Sequence, residues 1–225
     1  MRLIILLSLI FPLFIISQNS KLPEDVKWVT QSEEYSELCK QIYTNAWEKI
    51  ERNIYNNNYQ LNMENIVIVM DLDETVLDNS MYQINLNDKS ENFSYASWNK
   101  FVKQEISGLV PGAKLFIEKY KAIDNAKIVF ISNRDASTLK ATINNMKKLG
   151  VFFEDDIYML KKKQNDTKII RRLELINGDG RMKNHGKCKI IAYFGDAIGD
   201  FPSNNNYKFS INKFIFPNPM YGTWQ

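Results

Sequence analysis

Between Trp28 and Asn53 the apolar and aromatic residues Tyr35, Leu38, Ile42, Tyr43, Ala46, Trp47 and Ile50 return every three or four positions, with no Gly or Pro between them. That period is helical, so the stretch predicts one or two amphipathic helices. Residues 53 to 65 are rich in Asn and read as a linker. The pattern then changes: IVIVM (66–70), AKIVFISN (126–133) and KIIAYFGD (189–196) are short, unbroken apolar runs rich in β-branched and aromatic types. A strand with one wet face alternates apolar and polar residues, whereas an unbroken run suits a strand covered on both faces, as in a parallel sheet. Helical spacing fills the gaps: PGAKLFIEKYKAI opens near Pro111, and STLKATINNMKKLG and DTKIIRRLELING each close on a Gly. This alternation predicts an α/β domain of three layers with a central parallel sheet.

The opening MRLIILLSLIFPLFIISQNS follows neither pattern. Arg2 precedes an apolar run from Leu3 to Ile16, and Ser17-Gln18-Asn19 breaks it. These are the marks of a signal peptide over residues 1–20; the run, with Pro12 inside it, is short for a bilayer span. The competing interpretation is an uncleaved anchor. No cysteine near the break offers a lipid attachment point. The expected product is an exported chain, periplasmic or extracellular, not lipidated and without a membrane anchor after cleavage.

Over residues 21–225 one domain is expected, since 225 residues with 44% hydrophobic and 24% charged suffice for a single ordinary core. Losing Arg2 lowers the formal net charge from +3 to +2, too mild a balance for gripping a nucleic acid polymer. Cys39 and Cys188 are the only cysteines; they either pair in an oxidising compartment or serve as two small buried residues. His185, the single histidine, lies in the polar run GDGRMKNHGK and reads as a surface residue, so no zinc set is present.

All three apolar runs end in reactive side chains: Asp71 and Asp73 after the first, Ser132 and Asn133 after the second, Asp196 and Asp200 after the third. In a parallel α/β sheet the ligand crevice lies outside the strand C-termini, so these groups converge. If the chain stays extended, Asp71 and Asp73 project to the same side. Like charges that close force one carboxyl to keep its proton unless a cation neutralises them. An all-oxygen set favours Mg²⁺ over zinc or copper, and open positions on such an ion suit phosphate oxygens.

DLDETVLDNS (71–80), ISNR (131–134) and GDAIGDF (195–201), in this order, resemble motifs one, two and four of the haloacid dehalogenase (HAD) superfamily of phosphohydrolases. The segments WVTQSEEYSELCKQIYTNAW, VPGAKLF and PNPMYGTW narrow the resemblance to the bacterial class C acid phosphatases, the family that includes outer-membrane lipoprotein 5'-nucleotidases. The likeness runs from about residue 26 to 225 and implies a HAD-like Rossmannoid fold with N-terminal helices and small cap elements around 80–108.

The resemblance implies two-step hydrolysis of a small phosphomonoester, with Asp71 as nucleophile and Asp73 as acid and base. Asp71, the main-chain carbonyl of Asp73, and Asp196 would hold Mg²⁺, with Asp200 assisting; Ser132 and Asn133 belong to the catalytic set, and Arg134 to the substrate-binding one. A lysine stabilising the transferring phosphoryl group is expected in MLKKKQNDTKIIRR; counting back from Lys168 selects Lys162, with Lys161 next to it. Asp166 replaces a family-typical Ser and Gly199 a family-typical Asp. Trp98 and Tyr221 match positions where relatives stack aromatics on a base; the competing interpretation is two ordinary half-buried aromatics. A homodimer is compatible with the sequence. A storage or binding protein on the same fold is the alternative to an enzyme, and the retention of all four aspartates and Ser132 favours the enzyme.

Overall fold

The computed structural model describes residues 22–59 and 65–223, so the expected signal segment 1–20 lies outside the described residues. In chain order the elements are α1 (Glu24–Gln31), α2 (Glu33–Asn56), β1 (Ile66–Met70), β2 (Leu77–Asp78), α3 (Ser80–Lys89), α4 (Tyr95–Val102), β3 (Gly108–Leu109), α5 (Ala113–Lys121), β4 (Lys127–Asp135), α6 (Leu139–Leu149), β5 (Ile157–Lys161), α7 (Lys168–Asn177), β6 (Lys189–Gly195) and β7 (Lys213–Ile215).

The N-terminal periodicity resolves into two helices because Ser32 adopts an extended backbone, and its hydroxyl accepts the Tyr35 N–H at 3.1 Å to start α2. Helix α2 runs to Asn56, past the expected start of the linker. The closing glycines act as expected: Gly150 and Gly178 take the left-handed conformation that ends α6 and α7.

The sheet has five strands in the order β5-β4-β1-β6-β7, every pairing parallel. Two strands thus join the three expected from apolar runs: β5, whose IYMLK leads straight into the lysine cluster, and β7, only three residues long. Met70 is level with Phe130 on one side and Phe194 on the other, so β1, β4 and β6 reach one edge together. Their residues alternate between two cores. Ile66, Ile68 and Met70 pack with Ile128, Phe130 and Phe194 against α2 and α5; Val67 and Val69 pack with Val129, Ile131 and Ile190 toward α7. All five β1 residues are buried, which is why the run carries no polar position.

Cys39 and Cys188 are free thiols; Cys39 belongs to the first core and Cys188 packs on the second, with the sheet between them. The expected insertion between residues 80 and 108 is helical, built from α3 and α4 and flanked by the antiparallel β2–β3 ribbon.

Helix α7 is inside out. Arg171, Arg172 and Leu175 are buried while Ile169, Leu173 and Ile176 face outward. The arginines point inward because the strand ends need donors. Arg171 gives hydrogen bonds to the carbonyls of Ser132 at 2.5 Å and Met159 at 2.9 Å, and Arg172 to those of Gly199 and Asp200 at 3.0 and 3.1 Å. Two guanidinium forks thereby satisfy main-chain acceptors that the sheet leaves behind.

Candidate active site

Asp71 follows β1 directly, and its N–H still donates to Phe194 O at 2.9 Å, so its backbone is fixed by β6. The chain then turns tightly: Val76 and Leu77 N–H both reach back to Leu72 O, and Glu74 sits at φ 56°. Tyr43 on α2 braces the turn by donating its hydroxyl to Thr75 O at 2.5 Å. Across the sheet, β6 ends at Gly195 with Asp196 directly after it, and a 3-10 turn from Ile198 to Asp200 brings the last carboxylate back. A methyl group on Gly195 would meet Asp200 Cβ and Oδ2 at 2.4 Å, so only glycine allows this approach.

These turns bring carboxylate oxygens of Asp71, Asp196 and Asp200 within 4.8 Å of one another. Into the same space α7 sends its first residue. Thr167 caps the helix by accepting the Ile170 N–H at 3.3 Å, and Lys168 Nζ lies 2.6 Å from Asp71 Oδ1 and pairs with Asp200 Oδ1. Burial pushes Asp71 well above the ordinary carboxylate range; Lys168 opposes this, while Asp200, Asp196 and Asp73 push it further. Burial and the neighbouring Asp200 raise Asp196 to about 6. Burial disfavours the charge on Lys168, but Asp71 and Asp200 overcome it and hold the ammonium above its usual range. One ammonium against three acids leaves the cluster short of positive charge. The donors are all hard oxygens, a set that fits a divalent cation of the magnesium class.

Asp73 leaves the strand direction and turns to β4 instead of Asp71's partners. Its Oδ1 receives Arg134 Nε at 2.8 Å, Arg134 Nη2 at 2.8 Å and Asn79 Nδ2 at 3.0 Å. Its Oδ2 receives the Ser132 hydroxyl at 3.2 Å. The two acids of the DxD pair therefore have different counter-charges, Lys168 for Asp71 and Arg134 for Asp73. That separation lets adjacent carboxyls carry unlike roles.

Residues 11–224 match the family model described as HAD superfamily, subfamily IIIB (Acid phosphatase). The chain belongs to this family. Among solved structures it is similar to the class C acid phosphatase from Bacillus anthracis with tungstate bound, at 26% identity, TM-score 0.73, and coverage of 89% of this chain and 85% of that one. A second structure of the B. anthracis enzyme gives 25% identity and a TM-score of 0.72 over the same shares. The sheet and its flanking helices are the HAD-like class C fold, and the protein is a phosphomonoesterase.

Within this acid phosphatase the basic residues singled out in the sequence take different places. The ammonium at the acid cluster belongs to Lys168; Lys162 is exposed in the loop after β5, and Lys161 is the last residue of that strand. The chain turns back between 162 and 168: Lys162 N–H donates to Asp166 Oδ2 at 2.8 Å, and Arg181 and Arg171 pair with the same carboxylate. Asp166 thus holds the turn that delivers Lys168. Arg134, expected to bind substrate, has a fully buried side chain committed to Asp73, Asn79 and Thr142.

Other residues occupy the same edge. Asn133 is exposed, and its Oδ1 accepts Arg171 Nη2 at 2.8 Å. Trp98 is half-buried, stacks on Phe101 at 5.7 Å between ring centroids, and lies over the Arg134 guanidinium at 5.8 Å. Half-buried Tyr221 is held through its N–H by Asn218 Oδ1 at 3.4 Å, while Asn218 Nδ2 donates to Asp196 Oδ2 at 2.8 Å. The two aromatics therefore stand beside opposite acids, Trp98 by way of Arg134 to Asp73 and Tyr221 by way of Asn218 to Asp196. Asn79, Asn218 and Arg171 were not apparent from the sequence. The one signal for Lys168 was its place immediately after a helix-capping Thr.

Proposed function

We propose that this phosphatase is Mg²⁺-dependent and hydrolyses small phosphate monoesters, nucleoside 5'-monophosphates among them, through an aspartyl-phosphate on Asp71. The observation that carries this is the meeting of Asp71, Asp196, Asp200 and Lys168 at one sheet edge. A carboxylate oxygen of Asp71 attacks phosphorus as the ester P–O bond breaks, and Asp73 gives a proton to the departing oxygen. Water then attacks the aspartyl-phosphate, Asp73 takes its proton, and the Asp71–phosphorus bond breaks to release phosphate. Lys168 balances charge on the phosphoryl oxygens, and the Ser132 hydroxyl is placed to turn from Asp73 to one of them. Asp71, Asp196 and Asp200, with the main-chain carbonyl of Asp73, would hold Mg²⁺. When bound, the ion supplies Lewis-acid neutralisation of phosphoryl oxygens. The tungstate bound by the B. anthracis enzyme is a tetrahedral oxyanion, which supports a phosphate-shaped site here.

Turnover of p-nitrophenyl phosphate should vanish in EDTA and return with added Mg²⁺; full activity in the chelator would rule out the metal. In the same assay Trp98→Ala and Tyr221→Ala should raise KM for a nucleoside monophosphate roughly 5- to 100-fold, the worth of one stacked base, and leave an aliphatic phosphate unchanged. Equal loss on both substrates would reject base stacking.

The signal-like segment supports export with loss of residues 1–20, and no helix among the described residues is long and apolar enough to cross a membrane. Mass spectrometry of the mature protein should find its N-terminus near residue 21; an intact Met1 in the exported protein would contradict cleavage.

A further inference from the structure

Arg134 and Asn79 are more deeply buried than either acid of the DxD pair requires. Arg134 is 1% exposed and Asn79 not at all. Every strong donor they possess toward Asp73 goes to a single atom: two guanidinium nitrogens and one amide nitrogen converge on Oδ1. Oδ2 is left with one neutral hydroxyl, Ser132, at 3.2 Å, and the Asp73 side chain keeps 16% of its surface open. Fixing one oxygen of a planar carboxylate from several directions fixes the plane, and with it the direction in which the second oxygen points.

The anchors are themselves held. Asn79 Oδ1 accepts the Ser107 hydroxyl at 2.7 Å and Arg134 Nη2 at 3.2 Å, while its Nδ2 also reaches Leu77 O at 3.2 Å and its N–H donates to Glu74 Oε1 at 2.8 Å. Ser107 is tied in turn to Asn145 on α6, and Arg134 Nη1 to Thr142 on the same helix. The Asn79 amide accepts from Ser107 and Arg134 while donating to Asp73, and a carboxylate in its place has no donor. Likewise a lysine in place of Arg134 offers one ammonium where the fork supplies two nitrogens in a fixed plane.

We propose that Asn79 and Arg134 are positioning residues that immobilise Asp73 through Oδ1 and so aim Oδ2 at the oxygen of the leaving group. The proposal rests on the acid and base role of Asp73 given above. It makes a distinction that a purely structural network does not. A misaimed acid harms esters whose leaving group needs a proton as the bond breaks, such as glycerol phosphate, and spares p-nitrophenyl phosphate, whose leaving group departs as a stable phenolate.

The test measures kcat/KM on both esters, which reads the steps through formation of the aspartyl-phosphate and not its later hydrolysis, where Asp73 is the base for both, for wild type, Asp73→Asn, Arg134→Lys and Asn79→Ser. Arg134→Lys and Asn79→Ser are expected to lose about 100-fold on glycerol phosphate and only a few-fold on p-nitrophenyl phosphate, following the selectivity of Asp73→Asn. If Asp73→Asn loses both esters equally, the acid role of Asp73 is wrong and the proposal falls with it. If Asp73→Asn is selective while Arg134→Lys and Asn79→Ser lose both equally, the positioning proposal alone is overturned. Should these two variants fail to fold, Ser107→Ala, which removes only the hydroxyl bonded to Asn79, decides by the same ratio of esters.

Discussion

Asp71→Asn is expected to lower kcat on p-nitrophenyl phosphate by about 10⁴-fold or more, because the amide keeps the shape of the side chain and removes the oxygen nucleophile. The fold should not suffer with the activity. Burial and three neighbouring acids hold the Asp71 carboxyl well above its ordinary range, so its ionised form works against the folded state. In metal-free protein the sign follows directly: a raised folded pKa gives stability that is complete below about pH 4 and fades as pH rises through the folded value. For Asp196 that value is about 6. A neutral residue 71 removes one such term, so the variant should melt at or above the wild-type temperature at neutral pH. Loss of activity accompanied by unfolding, or activity within tenfold of wild type, would contradict the nucleophile assignment.

Lys168→Gln is the second large effect, and it separates the lysine that the fold delivers from the two that the count along the sequence selects. With a side chain only 10% exposed between Asp71 and Asp200, its removal leaves two buried acids without their counter-charge. Breaking such a pair costs about 3–5 kcal/mol of stability, and losing one preorganised charge at a phosphoryl site costs about 10²- to 10³-fold in kcat. Added Mg²⁺ should recover part of the stability and little of the rate. Lys162→Gln, in an exposed loop, and Lys161→Gln, at the strand end, should each stay within about 0.5 kcal/mol of wild type. Loss of turnover in Lys162→Gln with Lys168→Gln unaffected would reverse the assignment.

The difference between those lysines shows where the sequence ceases to be legible. Unbroken apolar runs located β1, β4 and β6, because a strand covered on both faces has no polar position to spare, and the reactive residues beside them located the edge of the sheet. The short β5 escaped notice because Ile157 and Tyr158 are only partly covered and Lys161 already belongs to a charged cluster. The three-residue β7 carries no periodicity at all. The count along the chain selected Lys162 while Lys168 reaches the acids, because the Asp166 turn parts distance along the chain from distance in space. Arg134 was assigned to substrate by resemblance; its burial against Asp73 goes with Asn79 and Thr142, 55 and 8 positions away, which no local pattern connects.

The strand order also governs when the enzyme comes into being during synthesis. Strand β1 is the first of the five to be made yet occupies the middle, so the segment bearing Asp71 waits for both flanking partners, and the counter-charge arrives only with α7. Until the chain through Asp200 has been made and has docked, a nascent molecule holds isolated acids and no assembled centre. Hydrolytic capacity therefore switches on late and as a whole.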